Sequence, residues 1–285
     1  MTTASREGAV LEAADPDLAA SVRSGLELVE SRLREVAASA HPMLDTAASH
    51  LVQAGGKRFR PLLALLAAHL GDPDAGEVID AAVVVELTHL ATLYHDDVMD
   101  EADVRRGAQS ANSRWTNTIA ILTGDYLFAR ASDLTAGLGT EATHLQAQTF
   151  ARLVEGQISE TAGPAEGQDP VAHHLQVVAD KTGSLIATSA RLGALMAGAP
   201  APHVEIVARF GEVIGTAFQL SDDLIDVLSE TGASGKTPGT DLREGVRTLP
   251  VLLVLADGDS VAADGSQRLR ELLDSDLDDD ARLAE

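Results

Sequence analysis

Asp96, Asp97 and Asp100 stand in the order Asp-Asp-x-x-Asp, and Asp222, Asp223 and Asp226 repeat that order. On a helix, residues i and i+4 lie on one side, one turn apart. Asp96 and Asp100 therefore point the same way with Asp97 beside them, and Asp222 and Asp226 do likewise. Clustered carboxylates with no thiolate nearby suit a hard divalent cation, Mg2+ or Mn2+, better than zinc. Mg2+ takes one or two carboxylates and completes its shell with water and phosphate oxygens. Two such motifs facing each other would hold a diphosphate through several ions. The spacing also suits a solvated acidic helix face. Both copies lie in apolar surroundings, "HLATLYHDDVMD" and "FGEVIGTAFQLSDDLIDV", which weakens that alternative. A buried carboxylate is costly unless it is paired or metal-bound.

Before the first motif, His89, Thr92, Asp96 and Asp100 form a polar stripe. It crosses a helix otherwise built from Val83, Val84, Leu87, Leu90 and Leu93. Gln219 lies one turn before the second motif. Cations are offered by "GGKRFRP", Gly55 to Pro61. There the two glycines close one helix, Pro61 suits the first position of the next, and Lys57, Arg58 and Arg60 crowd its start. A helix N-terminus carrying lysine and arginine favours an anion, although a solvated basic turn fits too. Arg105 and Arg106 follow the first motif. They can bind an anion or only neutralise Asp100, Glu101 and Asp103.

The elements that must position these groups are helical. Alanine and leucine dominate, aromatic residues are only 3%, and alternation of strand type is absent. Expected helices cover about 17–39, 42–54, 61–70, 76–100, 111–137, 141–162, 170–198, 203–228, 246–256 and 265–273. Their lengths favour an all-α bundle of about ten or more helices around a deep central cavity. No domain boundary is visible, so 1–285 reads as a single domain. The loop "SETGASGKTPGTDLREG" is long and glycine-rich, as functional loops are.

The chain has 285 residues, no cysteine and a formal net charge of -23. Disulfides, thiolate metal sites and cysteine nucleophiles are excluded. A chain this acidic repels nucleic acid and anionic membranes, so any anionic substrate needs local basic clusters. No signal segment or spanning-length apolar run is apparent, and a cytoplasmic protein is expected.

Taken in order, "GGKRFRP", "HDDVMDEADVRRG", "GDYLFARA", "VEGQISE", "KTGSLIATSA", "FQLSDDLIDV" and "GKTPGTDLREGVRTLP" resemble the trans-isoprenyl diphosphate synthases, the polyprenyl synthetase family. The resemblance implies an isoprenoid synthase-like all-α fold and a Mg2+-dependent prenyl transfer. Three Mg2+ per site are implied with substrate bound, with Mn2+ an alternative. In that reaction an allylic prenyl diphosphate ionises, isopentenyl diphosphate attacks, and a proton is lost.

Matching positions place Asp96, Asp97 and Asp100 at one metal site and Asp222, Asp223 and Asp226 at the other. Arg105, Lys181, Thr182, Gln219 and Lys236 would hold the allylic diphosphate, with Lys181 counted among the catalytic groups. Gly56, Lys57, Arg60, His89 and Arg106 would hold isopentenyl diphosphate. A homodimer is implied as well.

Chain length in this family is set by residues just before the first motif. A helical turn rises 5.4 Å, and an isoprene unit adds roughly 4.5–5 Å by analogy with the extended peptide repeat, so each turn gates about one unit. Short-chain members carry an aromatic four or five positions before the first Asp. Here those positions are Thr92 and Ala91, and Thr88 two turns down is also small, so a medium- or long-chain product is expected. Tyr94 lies about 200° round the helix from Asp96 at 100° per residue, pointing away. The alternatives are a geranylgeranyl diphosphate synthase and a non-catalytic subunit of a two-component synthase. A terpene cyclase is disfavoured because its second motif is not Asp-Asp-x-x-Asp.

Two departures stand out. Val246 occupies the place of a usual lysine; Arg247 next to it would supply the charge for the diphosphate, although arginine does not replace lysine simply. The family's further C-terminal helices are also missing from this sequence.

Overall fold

The computed structural model describes residues 15–228, 239–243, 245–256, 263–273 and 275. The expected all-α class is found. The helices are α1 Pro16–Ala37, α2 Pro42–Gln53, α3 Phe59–Ala68, α4 Glu77–Met99, α5 Ala111–Arg114, α6 Asn117–Gly137 and α7 Thr140–Ala162. They continue with α8 Pro170–Val178, a π-helical turn Ala179–Gly183, α9 Ser184–Met196, α10 Ala201–Leu228, α11 Thr240–Arg243, α12 Leu249–Ala256 and α13 Ala263–Leu273.

Three helices start with the same grammar: a capping side chain followed by proline. Asp15 accepts from the amides of Asp17 and Leu18 at 3.1 and 3.0 Å ahead of α1. His41 does so for Leu44 at 3.5 Å in α2, and Asp169 for Val171 at 3.1 Å in α8. Proline suits the first helical position because its missing N–H would have no partner there.

The chain divides into two compact units. One comprises 1–151 and 184–212, the other 152–183 and 213–285. In the first, α4 is the central helix and packs on α6, α3, α9 and α1. Its core joins Val29 and Leu33 of α1, Leu51 of α2, Ala64 of α3, Val83, Leu87 and Leu90 of α4, and Leu127 of α6. α3 and α9 cross closely: a Cβ on Gly193 would stand 2.0 Å from the Ala64 carbonyl oxygen. By length and composition α4 could also cross a membrane, but 67% of its apolar window is buried inside the protein, as in a core helix. In the second unit α8 runs into the π turn, and α12 packs on α8 and α13.

Several expected boundaries are corrected. α3 begins at Phe59, not Pro61, because Arg58 adopts the left-handed conformation (φ 48°) and turns the chain into the helix early. The expected helix over 111–137 breaks at Trp115, and Thr116 caps α6 by accepting from the Ile119 amide at 3.2 Å. The expected helix over 170–198 is interrupted by the π turn. The helix expected from 246 starts at Leu249, leaving Arg247 outside it.

A small antiparallel hairpin was not expected at all. It pairs Val104 with Gln109 and Arg105 with Ala108. Its two-residue loop, Arg106 (φ 55°) and Gly107 (φ 75°), is left-handed at both positions, as the tightest hairpin turns require. Two residues per strand are too few for alternation to register in a sequence.

Arg58 ties the first unit together. It donates to Glu86 Oε1 at 2.8 Å and the Val52 carbonyl at 3.0 Å, and it pairs with Glu30. Arg58→Met leaves Glu86, which is 1% exposed, with a buried charge short of its main partner. Breaking a buried pair from one side costs about 3–5 kcal/mol. Urea unfolding should show a loss of that size in Arg58→Met, and a much smaller one when Glu86→Gln accompanies it.

Candidate active site

In the first unit, α4 delivers the first acidic motif at its C-terminal end. Asp100 is the C-cap, its amide bonded to the Asp96 carbonyl at 2.8 Å, so Asp96 and Asp100 keep their one-turn spacing. Carbonyl groups of a helix end carry partial negative charge and favour cations. Three carboxylates at such an end are unfavourable unless positive charge joins them.

Arg105 supplies part of that charge. Its Nε donates to Asp97 Oδ1 at 2.5 Å, and Nη2 lies 3.6 Å from Asp100 Oδ2. Asp97 is fully buried, and its Oδ2 has no hydrogen-bond partner among the described atoms. A buried, unsatisfied carboxylate oxygen beside two more carboxylates fits a divalent cation. Among the described residues no three His, Asp or Glu groups converge tightly enough to hold an ion alone.

Behind this motif on α4 lies a basic cluster. Arg106, at the hairpin turn, donates through Nη1 to the Gly55 carbonyl. A Cβ on Gly56 would stand 3.0 Å from the Arg106 guanidinium, so the bare glycine makes room for it. Arg60 lies in the first turn of α3, its Nε buried with no partner. Burial pushes Arg60 down to about 10; Glu86 opposes the shift and Arg106 adds to it. Burial holds His89 well below the ordinary imidazole value, and Arg60, Arg106, Arg105 and Arg58 add to this. His89 is therefore neutral at pH 7. The structure thus brings Gly56, Arg60, His89 and Arg106 together, while Lys57 stands exposed at the loop beside them. Arg58, crowded with them in sequence, is instead a structural tie.

Of the positions expected to gate chain length, Thr92 keeps accessible surface, as does Asp96 one turn on. Its Oγ1 donates to the His89 carbonyl at 2.8 Å. Thr88 and Ala91 are buried in helix packing, the Ala91 carbonyl 3.1 Å from where a Cβ on Gly124 of α6 would stand. Tyr94 is buried on another side, donating to the Ala47 carbonyl and accepting from the Leu51 amide at 3.3 Å.

In the second unit the π turn presents Lys181 and Thr182. π turns re-aim side chains within a helix and recur at functional sites. Here Gly156 of α7 allows the close approach: a Cβ on it would stand 2.9 Å from the Lys181 amide nitrogen. Lys181 Nζ donates to Glu160 Oε2 at 2.6 Å. Thr182 Oγ1 donates to Gln219 Oε1 at 3.1 Å, and Gln219 Nε2 donates to Asp223 Oδ1 at 3.0 Å. His174 Nε2 lies 3.2 Å from Asp223 Oδ2. Thr182, Gln219 and Asp223 are thus one chain of contacts, and both oxygens of the buried Asp223 have protein partners. Asp222 keeps some accessible surface, and Asp226 is buried. Arg247 is exposed before α12, and Lys236 lies outside the described residues.

Four groups near these sites were missed in the sequence: Glu86, Glu160, His174 and the Arg152–Asp180 pair at 2.7 Å. Glu86 had a signal, as a lone charge in "AAVVVELTHL". The others pair across 49, 28 and 21 residues, with no local pattern.

Comparison with known proteins gives the grouping. Residues 41–285 match the model of the family described as polyprenyl synthetase. The chain belongs to the polyprenyl synthetase family. It is a prenyltransferase. A nonaprenyl diphosphate synthase of Mycobacterium tuberculosis is 50% identical over 286 residues, covering 100% of this chain and 84% of that protein. The crystal structure of a geranylgeranyl pyrophosphate synthase from Corynebacterium glutamicum, complexed with calcium and isoprenyl diphosphate, is 48% identical. It superposes with a TM-score of 0.83, covering 95% of this chain and 81% of that one. A decaprenyl diphosphate synthase from Rhodobacter capsulatus is 34% identical with a TM-score of 0.82, covering 94% and 84%. These polyprenyl synthetases share the all-α isoprenoid synthase fold with this chain.

Proposed function

We propose that this polyprenyl synthetase condenses isopentenyl diphosphate with an allylic prenyl diphosphate, in the presence of Mg2+, to make an all-trans product longer than twenty carbons. The observation that carries the reading is the order of groups along α4: Asp96 and Asp100 at its end, His89 two turns behind, and Arg60 and Arg106 beside His89. Acids that need a cation thus sit next to cations that need an anion.

In this reading 1–285 works as a single domain, and each acidic motif acts in diphosphate binding through metal. Bound Mg2+, three ions with substrate present, would be held by Asp96, Asp97 and Asp100 and by Asp222, Asp223 and Asp226, and would stabilise the charge that builds on the leaving diphosphate. Arg105, Lys181, Thr182 and Gln219, with Lys236 and Arg247, would serve allylic diphosphate binding by charge-assisted hydrogen bonds. Lys181 exchanges Glu160 for phosphate oxygen when substrate arrives. Lys57, Arg60 and Arg106 fix the diphosphate of isopentenyl diphosphate, with neutral His89 as a hydrogen-bond donor and Gly56 giving close backbone approach. As the allylic C–O bond breaks, the alkene of isopentenyl diphosphate attacks C1 of the allylic cation. A proton then leaves the adjacent carbon to the departed diphosphate, and a new allylic double bond forms. Apolar walls keep water from the cation.

Thr92 supports growth past short products, since no aromatic side chain stands one turn before Asp96 on that side of α4. The nonaprenyl synthase at 50% identity points the same way. The geranylgeranyl synthase at 48% identity favours a twenty-carbon product as the second reading. We place the protein in the cytoplasm, as a homodimer that uses α6, where Ile121 and Leu122 are exposed.

The test incubates the full chain with Mg2+, farnesyl or geranylgeranyl diphosphate and labelled isopentenyl diphosphate, then separates the dephosphorylated products. Labelled prenols longer than twenty carbons are expected. A ladder ending at twenty carbons selects the second reading. Diphosphate binding without extension would make the chain a non-catalytic subunit.

A further inference from the structure

Glu86 is an anion beside groups assigned to bind an anion. It lies on α4 three residues before His89, 1% exposed, between Val83, Val84, Val85 and Leu87. A carboxylate removed from water stays ionised only with close cations. Glu86 has two: its Oε1 accepts from Arg58 Nη1 at 2.8 Å and lies 3.6 Å from Arg106 Nη2. Arg106 projects from the tip of a two-residue hairpin loop, and its largely buried guanidinium needs partners in place of water. Its other terminal nitrogen is held by the Gly55 carbonyl. Two anchors from different elements, α4 and the Gly55–Gly56 loop, thus fix one guanidinium.

The electrostatics agree. Arg58, Arg60 and Arg106 crowd one interior region and repel each other; Arg60 and Arg106 are both pushed below the usual guanidinium value, by burial first, and Glu86 opposes this in each. Without a bound diphosphate, such a cluster would spread towards water. A buried carboxylate behind it keeps the forks in place in the empty site, so that the arriving anion pays little for their ordering.

We propose that Glu86 is a positioning residue for isopentenyl diphosphate: it touches no substrate and acts by holding Arg106, with Arg58 as its second support. This rests on the assignment of Arg106 to the isopentenyl diphosphate site. A different role would have the opposite sign. Were Glu86 only a negative charge behind a negative ligand, its neutralisation would tighten binding.

The experiment measures steady-state kinetics of the full chain with Mg2+, varying each substrate in turn, for wild type, Glu86→Gln, Arg106→Gln and the double variant. Losing the orientation of one charge-assisted contact should raise KM for isopentenyl diphosphate about tenfold in Glu86→Gln, with kcat and the allylic KM changed much less. Because Glu86 acts through Arg106, the double variant should be no worse than Arg106→Gln alone. An unchanged or lowered KM in folded Glu86→Gln overturns the proposal, as do equal rises for both substrates or additive effects in the double variant. If Arg106→Gln itself leaves that KM unchanged, the site assignment fails, and the role of Glu86 fails with it. Should Glu86→Gln not fold, Glu86→Met with Arg58→Met removes both charges of the buried pair and carries the same KM test.

Discussion

Asp96→Ala is expected to lower kcat by about a thousandfold, an increase of about 4 kcal/mol in the barrier, while leaving the fold intact. The loss follows from the position of the side chain. Asp96 keeps accessible surface in the last turn of α4, and Asp100, one turn on, is the helix C-cap. Both stand at a helix end that favours a cation. Removing one of them weakens metal capture and the charge stabilisation that metal and bases supply to the leaving diphosphate. Asp97 cannot also take its place, because its Oδ1 is held by Arg105 at 2.5 Å and only Oδ2 is left for a cation. The melting temperature should hold or rise, since the substitution removes a negative charge from a helix end that disfavours it. Single-turnover kinetics with a thermal melt check both halves. A kcat loss below tenfold would take Asp96 out of the metal site, and a collapsed melt would make the residue structural.

Thr92→Phe should shorten the product by several isoprene units, with the ladder ending at or near fifteen carbons. Thr92 is on the half-accessible stripe of α4, one turn before Asp96, so a phenyl ring there can occupy the path of a growing chain rather than the packed core. A turn rises 5.4 Å, about the length of one isoprene unit, so a plug this close to the motif stops growth early. Ala91 gives the control. It is fully buried and lies where α4 meets α6 at Gly124. A phenyl ring at Ala91 should act by overpacking, destabilising the fold by about 1–3 kcal/mol or more, before any effect on product length. Reversed-phase separation of the prenols reads the length, and urea unfolding reads the stability. Unchanged length in a folded Thr92→Phe would remove the tail from this side of α4.

The sequence was most informative where a relation is short-range. The i, i+4 spacing set Asp96 with Asp100 and Asp222 with Asp226, and the helix starts expected near 17, 42 and 170 fall within one residue of those found at Pro16, Pro42 and Pro170. It was less informative where the backbone departs from a regular repeat. The left-handed Arg58, the hairpin at Arg106 and the π turn at Lys181 each re-aim a basic side chain, and each depends on a partner remote in the chain. Gly156 lies 25 positions before Lys181, and Gly55 lies 51 positions before Arg106. No local window contains both members of either pair.

By itself, then, the sequence determined the class of the fold through helical periodicity and composition, and the family through the ordered motifs that it shares with the polyprenyl synthetases; the two acidic motifs and their basic companions it marked as candidates. Tertiary structure alone decided what each charge does. It gave Asp97 to Arg105 and Asp223 to His174 and Gln219, turned Arg58 from a candidate anion ligand into a tie between helices, and placed Glu86 behind Arg106. The reason is desolvation. A charge withdrawn from water must find a partner nearby in space, and which partner that is depends on how distant segments pack.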